Sequence, residues 1–155
     1  RRSGQIISLQ AWTVHAQDTF NYQLGLDPDI QHVPASTADR GPVTHVYAVA
    51  KLKGGGIQFE VMSRAEIEKV RSTSKAGNSG PWASHWDEMA KKTVIRRLFK
   101  YLPVSIEAVR AVEIDEKTDR GEATTDQDFL DAEFIEKGDF NDAPQIEAAP
   151  EEPAE

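Results

Sequence analysis

The feature that most limits the possible folds of this chain is a pair of β-rich runs joined by three consecutive glycines, VTHVYAVAKLKGGGIQFEVM. Both runs are rich in β-branched and aromatic residues, and glycine readily adopts the positive φ angles of a tight turn. The segment therefore predicts a β-hairpin. Each strand has one apolar face, formed by Val46, Ala48, Ala50 and Leu52 in the first and by Ile57, Phe59 and Val61 in the second.

Two earlier segments, QIISLQAWTV and DTFNYQLG, also alternate with a period of two and predict strands. In the first of them, Ile7, Leu9 and Ala11 share one face. The stretch from Leu26 to Pro42 contains three prolines and no periodicity, so it predicts a loop. The opening RRSG is typical of the last turn of a helix capped by Gly4, from which we expect a C-terminal fragment of a longer protein.

Helix signals follow the hairpin. SRAE is a capping box in which Ser63 is the N-cap and Glu66 lies three residues later. SHWD gives a second capping signal at Ser84, and the long helix that would begin there must end before Pro103. The segment SKAGNSGP between the two helices predicts a loop. The expected fold class is therefore α+β, with a small antiparallel β-meander or hairpin sheet packed against helices.

Charge divides the chain into two parts. Residues 1–110 carry 15 Lys and Arg against 10 Asp and Glu, whereas residues 111–155 carry 3 against 16. A basic body points to nucleic acid as a partner. We expect 1–110 to be the folded body and 111–155 to be an acidic, largely disordered tail, because such a composition cannot offset its chain entropy. Four tail residues are candidates for docking a partner: Phe129, Phe134, Ile135 and Phe140.

Several classes of protein are excluded or disfavoured. The chain has no cysteine, which excludes disulfides, thiolate metal sites and cysteine nucleophiles. It has neither a signal-peptide pattern nor an apolar run near the roughly 18 residues of a membrane span, so we expect a cytoplasmic protein. The histidine spacing matches no metal motif, and the sequence contains neither an ATP-binding loop nor a nucleophile elbow. We therefore expect no enzymatic activity and no cofactor, and nothing in the sequence implies Mg²⁺.

Positive charge is concentrated in HWDEMAKKTVIRRLFKYLP. At about 100° per residue, Lys92, Arg96 and Lys100 align at i, i+4 and i+8 on one side of the predicted helix, and its apolar residues face the sheet. Each step of about 6 Å is close to the phosphate spacing of an extended strand, so this row is suited to binding nucleic acid without reading its sequence. The candidate DNA-binding residues are Lys75, Trp82, Lys91, Lys92, Arg96, Arg97, Lys100 and, one helix earlier, Arg64 and Arg71.

The alternative for these cations is an ordinary solvated helix face. Against it, only Asp87 and Glu88 lie nearby in the sequence, so the helix lacks the acidic i, i+4 partners common on surface helices. Trp82 and Trp86 precede the cations, and an aromatic ring beside a basic groove can stack on bases. Each tryptophan can instead anchor the helix to the core.

Four strings of this sequence resemble the RecT family of single-strand annealing proteins: RRSGQI, PVTHVYAVAKLKGGGIQFEVMSR, KAGNSGPW and HWDEMAKKTVIRRLFKYLPVSIE. These proteins are phage and prophage recombinases, and the lambda beta protein is a distant relative. The resemblance extends from residue 1 to about residue 116, is weaker over residues 16–40 and is lost in the tail.

The resemblance implies annealing of complementary single strands without ATP, beside an exonuclease that exposes those strands. It also implies homo-oligomeric rings or helical filaments and an α+β core with DNA in a long, positively charged groove. The partners would be single-stranded DNA and the annealed duplex intermediate. By motif, the resemblance places four cations along the groove and two residues near it: Lys91, Lys92, Arg96 and Arg97, with Lys75 and Trp82.

Two other functions remain open. In the first, the chain is an adaptor whose acidic tail docks an exonuclease or a single-strand-binding protein, and the basic helix only packs. Charge reversal of Lys92 and Arg96 separates this function from annealing, because an adaptor keeps its partner. If the chain anneals DNA, the tail docks a partner or competes with DNA for the basic groove. The second alternative, a metal-dependent nuclease, needs a fixed carboxylate cluster in the body, and the sequence shows none.

Overall fold

The computed structural model describes residues 6–122. The architecture is α+β, as predicted, with an antiparallel sheet in the order β1-β4-β5, a separate two-stranded sheet β2-β3, and helices packed on the larger sheet. The elements are β1 Ile6–His15, β2 Thr19–Gln23, β3 Asp29–Val33, β4 Val43–Leu52, β5 Ile57–Ser63, α1 Arg64–Thr73, α2 Pro81–Ser84, α3 Trp86–Phe99 and α4 Ile106–Arg120. The RRSG segment and the four candidate docking residues of the tail lie outside the described residues.

The central hairpin is confirmed. Strands β4 and β5 pair in antiparallel register, with Val46 opposite Met62 and Lys51 opposite Ile57. Gly54 and Gly55 have φ angles of 94° and 91° at the turn, which residues with a Cβ atom rarely adopt. The helices cover the face of β5 that carries Met62. The alternating apolar residues that the sequence singles out on this strand, beginning with Ile57, therefore lie on the opposite face.

Two features before the hairpin differ from the sequence prediction. The stretch from Leu26 to Pro42, predicted as a loop, contains strand β3, which pairs with β2. In β1, a register shift between Ile6 and Ser8 places Ile6 against the core and leaves Ile7 67% exposed. Both differences arise from strand pairing, which the alternation of polar and apolar residues within one strand does not encode.

The core lies between the larger sheet and helices α1, α2 and α3. Its fully buried members include Val46 from β4, Ile67 from α1 and Val94 from α3. Helix α1 begins at the predicted capping box, in which Ser63 Oγ accepts from the Glu66 N–H at 3.2 Å and the Glu66 carboxylate accepts from the Ser63 N–H at 2.9 Å. Within the described residues, no helix is both long enough and apolar enough to cross a membrane.

A buried carboxylate joins the end of β1 to the chain around β3. The Asp18 side chain is 0% exposed. It accepts hydrogen bonds from the backbone N–H groups of His15 and Ala35, each at 2.9 Å, and from the guanidinium of Arg40. His32 Nε2 also lies 2.9 Å from this carboxylate. The bond from Arg40, aided by the others and opposed by burial, holds the pKa of Asp18 well below its usual value.

This lowered pKa predicts a specific dependence of stability on pH. Because the folded carboxyl releases its proton more readily than the unfolded one, its contribution is complete above the unfolded pKa of about 4 and is lost as pH falls towards the lower folded pKa. We expect the free-energy difference between wild type and Asp18→Asn to shrink steadily below about pH 4. Urea unfolding of both proteins between about pH 2.5 and pH 7 measures it. A difference that stays constant through that range would contradict the assignment.

Candidate nucleic-acid interface

Helix α3 carries most of the candidate cations and is held on the sheet by its apolar face. Ala90, Val94 and Leu98 are buried at i, i+4 and i+8, the spacing that aligns side chains on one side of a helix. The helix ends at Phe99, before Pro103, as predicted. The cations therefore project from a helix that the core holds firmly.

The start of α3 differs from the prediction, because Ser84 is not its N-cap. Ser84 is the last residue of the short helix α2, and its hydroxyl donates to the Gly80 carbonyl at 3.1 Å. His85 is the N-cap of α3 and makes no side-chain capping hydrogen bond. The acidic residues of the first turn, Asp87 and Glu88, complement the positive end of the helix dipole instead.

Helix α4 crosses the boundary that the sequence prediction sets between residues 110 and 111. It begins after Ser105, whose hydroxyl accepts from the Ala108 N–H at 3.4 Å, and is followed by the C-cap Gly121, which has a φ angle of 71°. A serine before the first turn and a glycine after the last are ordinary helix signals, so this element could have been found in the sequence. The structure therefore has residues 111–120 in a helix.

Two rows of opposite charge face each other across α3 and α4. We call the row along α3 and its C-cap the cationic ridge; it consists of Lys92, Arg96 and the C-cap Lys100. We call the row on α4 the acidic row; it consists of Asp115, Glu116 and Asp119. All three cations of the ridge form ion pairs with this row. The acidic partners that are missing within α3 are thus supplied by a different helix.

The contacts between the two rows are direct. Arg96 Nη1 donates to Asp119 Oδ2 at 2.6 Å, and Arg96 Nη2 donates to Asp115 Oδ2. Lys92 Nζ lies 3.3 Å from Asp115 Oδ2 and 3.9 Å from Asp119 Oδ2. At the far end of the ridge, Lys100 Nζ donates to Glu116 Oε2 at 3.1 Å. The ridge therefore already binds a row of anionic oxygens.

Arg96 depends on these carboxylates more than its neighbours do. It is only 8% exposed, and burying a guanidinium is unfavourable unless anionic or hydrogen-bonding partners compensate it. Its Nε atom has no hydrogen-bond partner among the described residues. Burial raises the pKa of Asp115, but the hydrogen bond and charge of Arg96, together with Lys92, outweigh it, so the pKa lies below its usual value. Asp115 is consequently charged at neutral pH.

Polar contacts attach α4 to the rest of the protein. The backbone carbonyl of Asp119 accepts hydrogen bonds from Ser74 Oγ at 3.3 Å and from the Lys75 N–H at 2.8 Å. None of residues 107–120 is buried. No described residue of α4 belongs to the hydrophobic core cluster, and ion pairs and hydrogen bonds join it to α3 and to the turn after α1. Anions and salt weaken such ion pairs.

Arg97 points towards a different part of the structure. Its guanidinium lies 3.0 Å from Glu60 of β5 and 3.2 Å from Glu66 of α1. Burial raises the pKa of Glu60, and the charge of Arg97 partly opposes that rise. Arg97 thus links α3 to the edge of the sheet and is not part of the cationic ridge.

The two remaining lysines of the candidate set are less constrained. Lys91 Nζ donates to Glu88 Oε1 at 3.1 Å on the same helix. Lys75 is exposed in the turn after α1, and its ammonium forms no ion pair with another residue in the described range. Its backbone contact with Asp119 places it beside the end of α4, close to the ridge.

The two arginines of α1 make local contacts. The guanidinium of Arg64 lies 4.3 Å from the centre of the Trp86 ring, within cation–π range. Arg71 Nε donates to the Gly77 carbonyl at 2.6 Å and so closes the turn after α1. The structure gives both arginines structural contacts, and it does not bring either of them to an ion pair of the ridge.

Trp82 lines the cleft beside the cations but presents no exposed ring face for stacking on bases in this structure. Trp82 is only 3% exposed and belongs to the hydrophobic core, so its ring faces are already covered. Trp86 is partly buried, and its indole N–H donates to Glu68 at 3.0 Å. Both tryptophans therefore anchor helices, which is the alternative that the sequence left open.

A cleft of about 340 Å³ lies between α1, α3 and α4. Its positive charge comes from Arg96, Arg97, Lys100 and Arg120, and its negative charge comes from Glu116 and Asp119. Within the described residues, no group of three or more His, Asp or Glu side chains is placed to hold a metal ion. The chemistry that this cleft offers is the binding of anions.

Comparison with known proteins identifies relatives of the chain that carries this cationic surface. The model of the RecT family matches residues 1–128. The chain belongs to the RecT family. Protein RecT of Escherichia coli (strain K12) is 60% identical to this RecT family member over 134 residues, a region that covers 86% of this chain and 49% of that relative. The chain therefore spans about half the length of the relative that it matches.

The sequence and the structure of this RecT family member agree on where the cations are, and differ on what surrounds them. Four of the candidates occupy α3, as predicted: Lys91, Lys92, Arg96 and Arg97. The acidic row was not predicted as a partner of α3, because it lies about 20 residues away and the contact depends on how α3 and α4 pack. Its only sequence signal is the i, i+4 spacing of Asp115 and Asp119 between helix start and stop signals.

Proposed function

We propose that this RecT family chain binds single-stranded DNA along the cationic ridge and promotes annealing of complementary strands during homologous recombination, without ATP. The observation that carries the proposal is the cationic ridge itself, a row of cations at i, i+4 and i+8 that already holds anionic oxygens. Adjacent members of the row are about 6 Å apart, close to the spacing of phosphates along an extended strand. Membership in the RecT family supports the same function.

In this proposal the acidic row occupies the positions that DNA phosphates take when a strand binds. A strand supplies several phosphates at once, and binding releases the counterions condensed on it. No described residue of helix α4 belongs to the hydrophobic core cluster, so its displacement leaves that cluster in place. DNA binding and α4 contact with the ridge are then competing states of one surface. Under this proposal, α4 acts as the competitor that the sequence analysis expects of the tail.

Annealing follows from holding a strand by its backbone. Phosphate contacts fix the position and direction of a strand but carry no sequence information, so the bases remain free to test a second strand. Base pairing supplies the specificity, and neutralised phosphates reduce the repulsion between the two strands. The reaction makes and breaks no covalent bond, so it requires no catalytic residue and no cofactor.

Further parts of the proposal concern the longer protein. We infer that it forms homo-oligomers on DNA, works beside an exonuclease that exposes the strands, and acts in the cytoplasm of a bacterial cell. RecT family membership supports these inferences.

The proposal is tested by titrating a labelled single-stranded oligonucleotide against wild type and Lys92→Ala/Lys100→Ala at several salt concentrations. We expect the variant to bind about 5- to 10-fold more weakly, and its plot of log affinity against log salt to be shallower by up to about 1.4, for two phosphate contacts. Both lysine side chains are 43% exposed, so the variant should fold. Arg96 is left intact because its burial makes any loss of binding ambiguous.

A matched control removes two lysines from elsewhere. Lys51→Ala/Lys53→Ala changes the net charge equally, at exposed positions beside the β4–β5 turn. We expect this control to retain wild-type affinity and to anneal complementary strands at the wild-type rate. Equal binding by all three proteins would contradict the role of the ridge and favour the adaptor alternative.

A further inference from the structure

A second exposed surface adjoins the cationic ridge at a single aromatic residue. Tyr101 follows Lys100 directly in the chain, just beyond the end of α3, and is 69% exposed. It lines the cleft that contains Arg96 and Lys100, and it also lines a groove of about 320 Å³ at the edge of β5. The cleft and the groove therefore meet at the ring of Tyr101.

The groove combines apolar walls with polar groups. Leu24 and Ile57, which line it, are 70% and 57% exposed. Gln58 and Glu60 of β5 line the same groove. The Gln58 Oε1 atom is buried and has no hydrogen-bond partner among the described residues. An exposed apolar surface bordered by polar residues is typical of a binding site.

We propose that this groove binds a nucleobase, with the base stacked on Tyr101 and flanked by Leu24 and Ile57. A nucleobase has apolar faces and polar edges, which is the combination that the groove offers. Aromatic rings beside a basic surface bind bases in this way in proteins that hold single strands. The inference rests on the proposed function, because the base is delivered by a strand whose phosphates lie on the ridge.

Continuity with the ridge favours a base over other occupants. A strand on the ridge reaches Lys100, and Tyr101 is the next residue, so a base attached to that strand lies within reach of the ring. A peptide or a second copy of the chain would also match the apolar walls. Neither carries the row of phosphates that would bind the adjoining cations. Tyr101 would thus orient the strand where it leaves the ridge.

The test compares two oligonucleotides of equal length, one of twelve thymidines and one of twelve abasic sugar-phosphate units. Both carry the same phosphates, so the ratio of their affinities isolates the contribution of the bases. We expect wild type to prefer the thymidine strand, and Tyr101→Ala to reduce that preference about 5- to 10-fold. Affinity for the abasic strand and the salt dependence should be unchanged, and Tyr101→Phe should retain the preference.

Tyr22→Ala is the matched control, since Tyr22 is exposed on β2 and lines neither the cleft nor the groove. It should keep the wild-type ratio. A wild-type ratio in Tyr101→Ala, or an equal loss on both strands, would overturn the inference while leaving the proposed function intact. If Tyr101→Ala sedimented differently from wild type but kept the wild-type ratio of affinities, the inference would also be overturned. The groove would then be assigned to a second copy of the chain. Failure of wild type to bind either strand would instead overturn the proposed function, and this inference with it.

Discussion

An Asp115→Asn/Asp119→Asn variant should bind single-stranded DNA roughly 10- to 100-fold more tightly than wild type at about 50 mM salt. The two carboxylates pair with Lys92 and Arg96 in the structure, so DNA must compete with them for those cations. Asparagine still accepts a hydrogen bond through its carbonyl oxygen, so the substitution removes mainly charge. Two additional phosphate contacts should also steepen the dependence of log affinity on log salt by up to about 1.4.

The control for this variant removes two negative charges that pair with no described cation. Asp27→Asn/Glu113→Gln changes the net charge equally, at an exposed turn before β3 and on an exposed face of α4. If affinity rose equally in both variants, net charge alone would be responsible and α4 would not compete with DNA. A fall in affinity of Asp115→Asn/Asp119→Asn, with folding intact by circular dichroism, would mean that α4 must stay in place to shape the interface.

An Asp18→Ala variant should lose about 3 kcal/mol of unfolding free energy at neutral pH, and its melting temperature should fall by roughly 10 °C or more. The substitution leaves two partly buried backbone N–H groups and the Arg40 guanidinium without their acceptor. Because the Arg40 side chain is 31% exposed, water can replace part of what it loses, so we expect the lower end of the usual range for a broken buried pair. Urea denaturation followed by circular dichroism measures the change.

Asp39→Ala is the control for Asp18→Ala. Asp39 lies in the same connection before β4, and its carboxylate accepts one exposed hydrogen bond from the Gly41 N–H at 2.9 Å. We expect Asp39→Ala to cost about 1 kcal/mol or less. Similar losses in the two variants would show that Asp18 has no special role in joining β1 to the chain around β3.

Local signals in the sequence were sufficient for much of the fold. The three glycines of the β4–β5 turn, the capping box at Ser63 and the proline after α3 each act within a few residues, and each led to a correct element. The same kind of signal at Ser105 and Gly121 marks α4, but the acidic composition of the surrounding segment favoured a disordered tail. Strand β3 was missed because its pairing with β2, and not its own sequence, makes it a strand.

At the candidate interface, too, local sequence signals determine some features and the packing of distant elements determines the others. The spacing of charged residues on α3 determines that Lys92, Arg96 and Lys100 form a row, because helical geometry relates position in the sequence to direction around the axis. Spacing cannot show that Arg96 is buried, that Trp82 lies in the core, or that α4 lies against the row. Those facts depend on which elements pack together.

The sequence by itself determined the fold class, the central hairpin, the helix that carries the cations and the resemblance to the RecT family. Only the tertiary structure decided that the cations are already paired, that Trp82 is an anchor, and that Tyr101 is the exposed aromatic residue beside them. The physical reason is that periodicity and capping are short-range, whereas burial and ion pairing require groups distant in the chain to meet. Asp115 and Asp119 reach Lys92 and Arg96 only because α3 and α4 pack side by side.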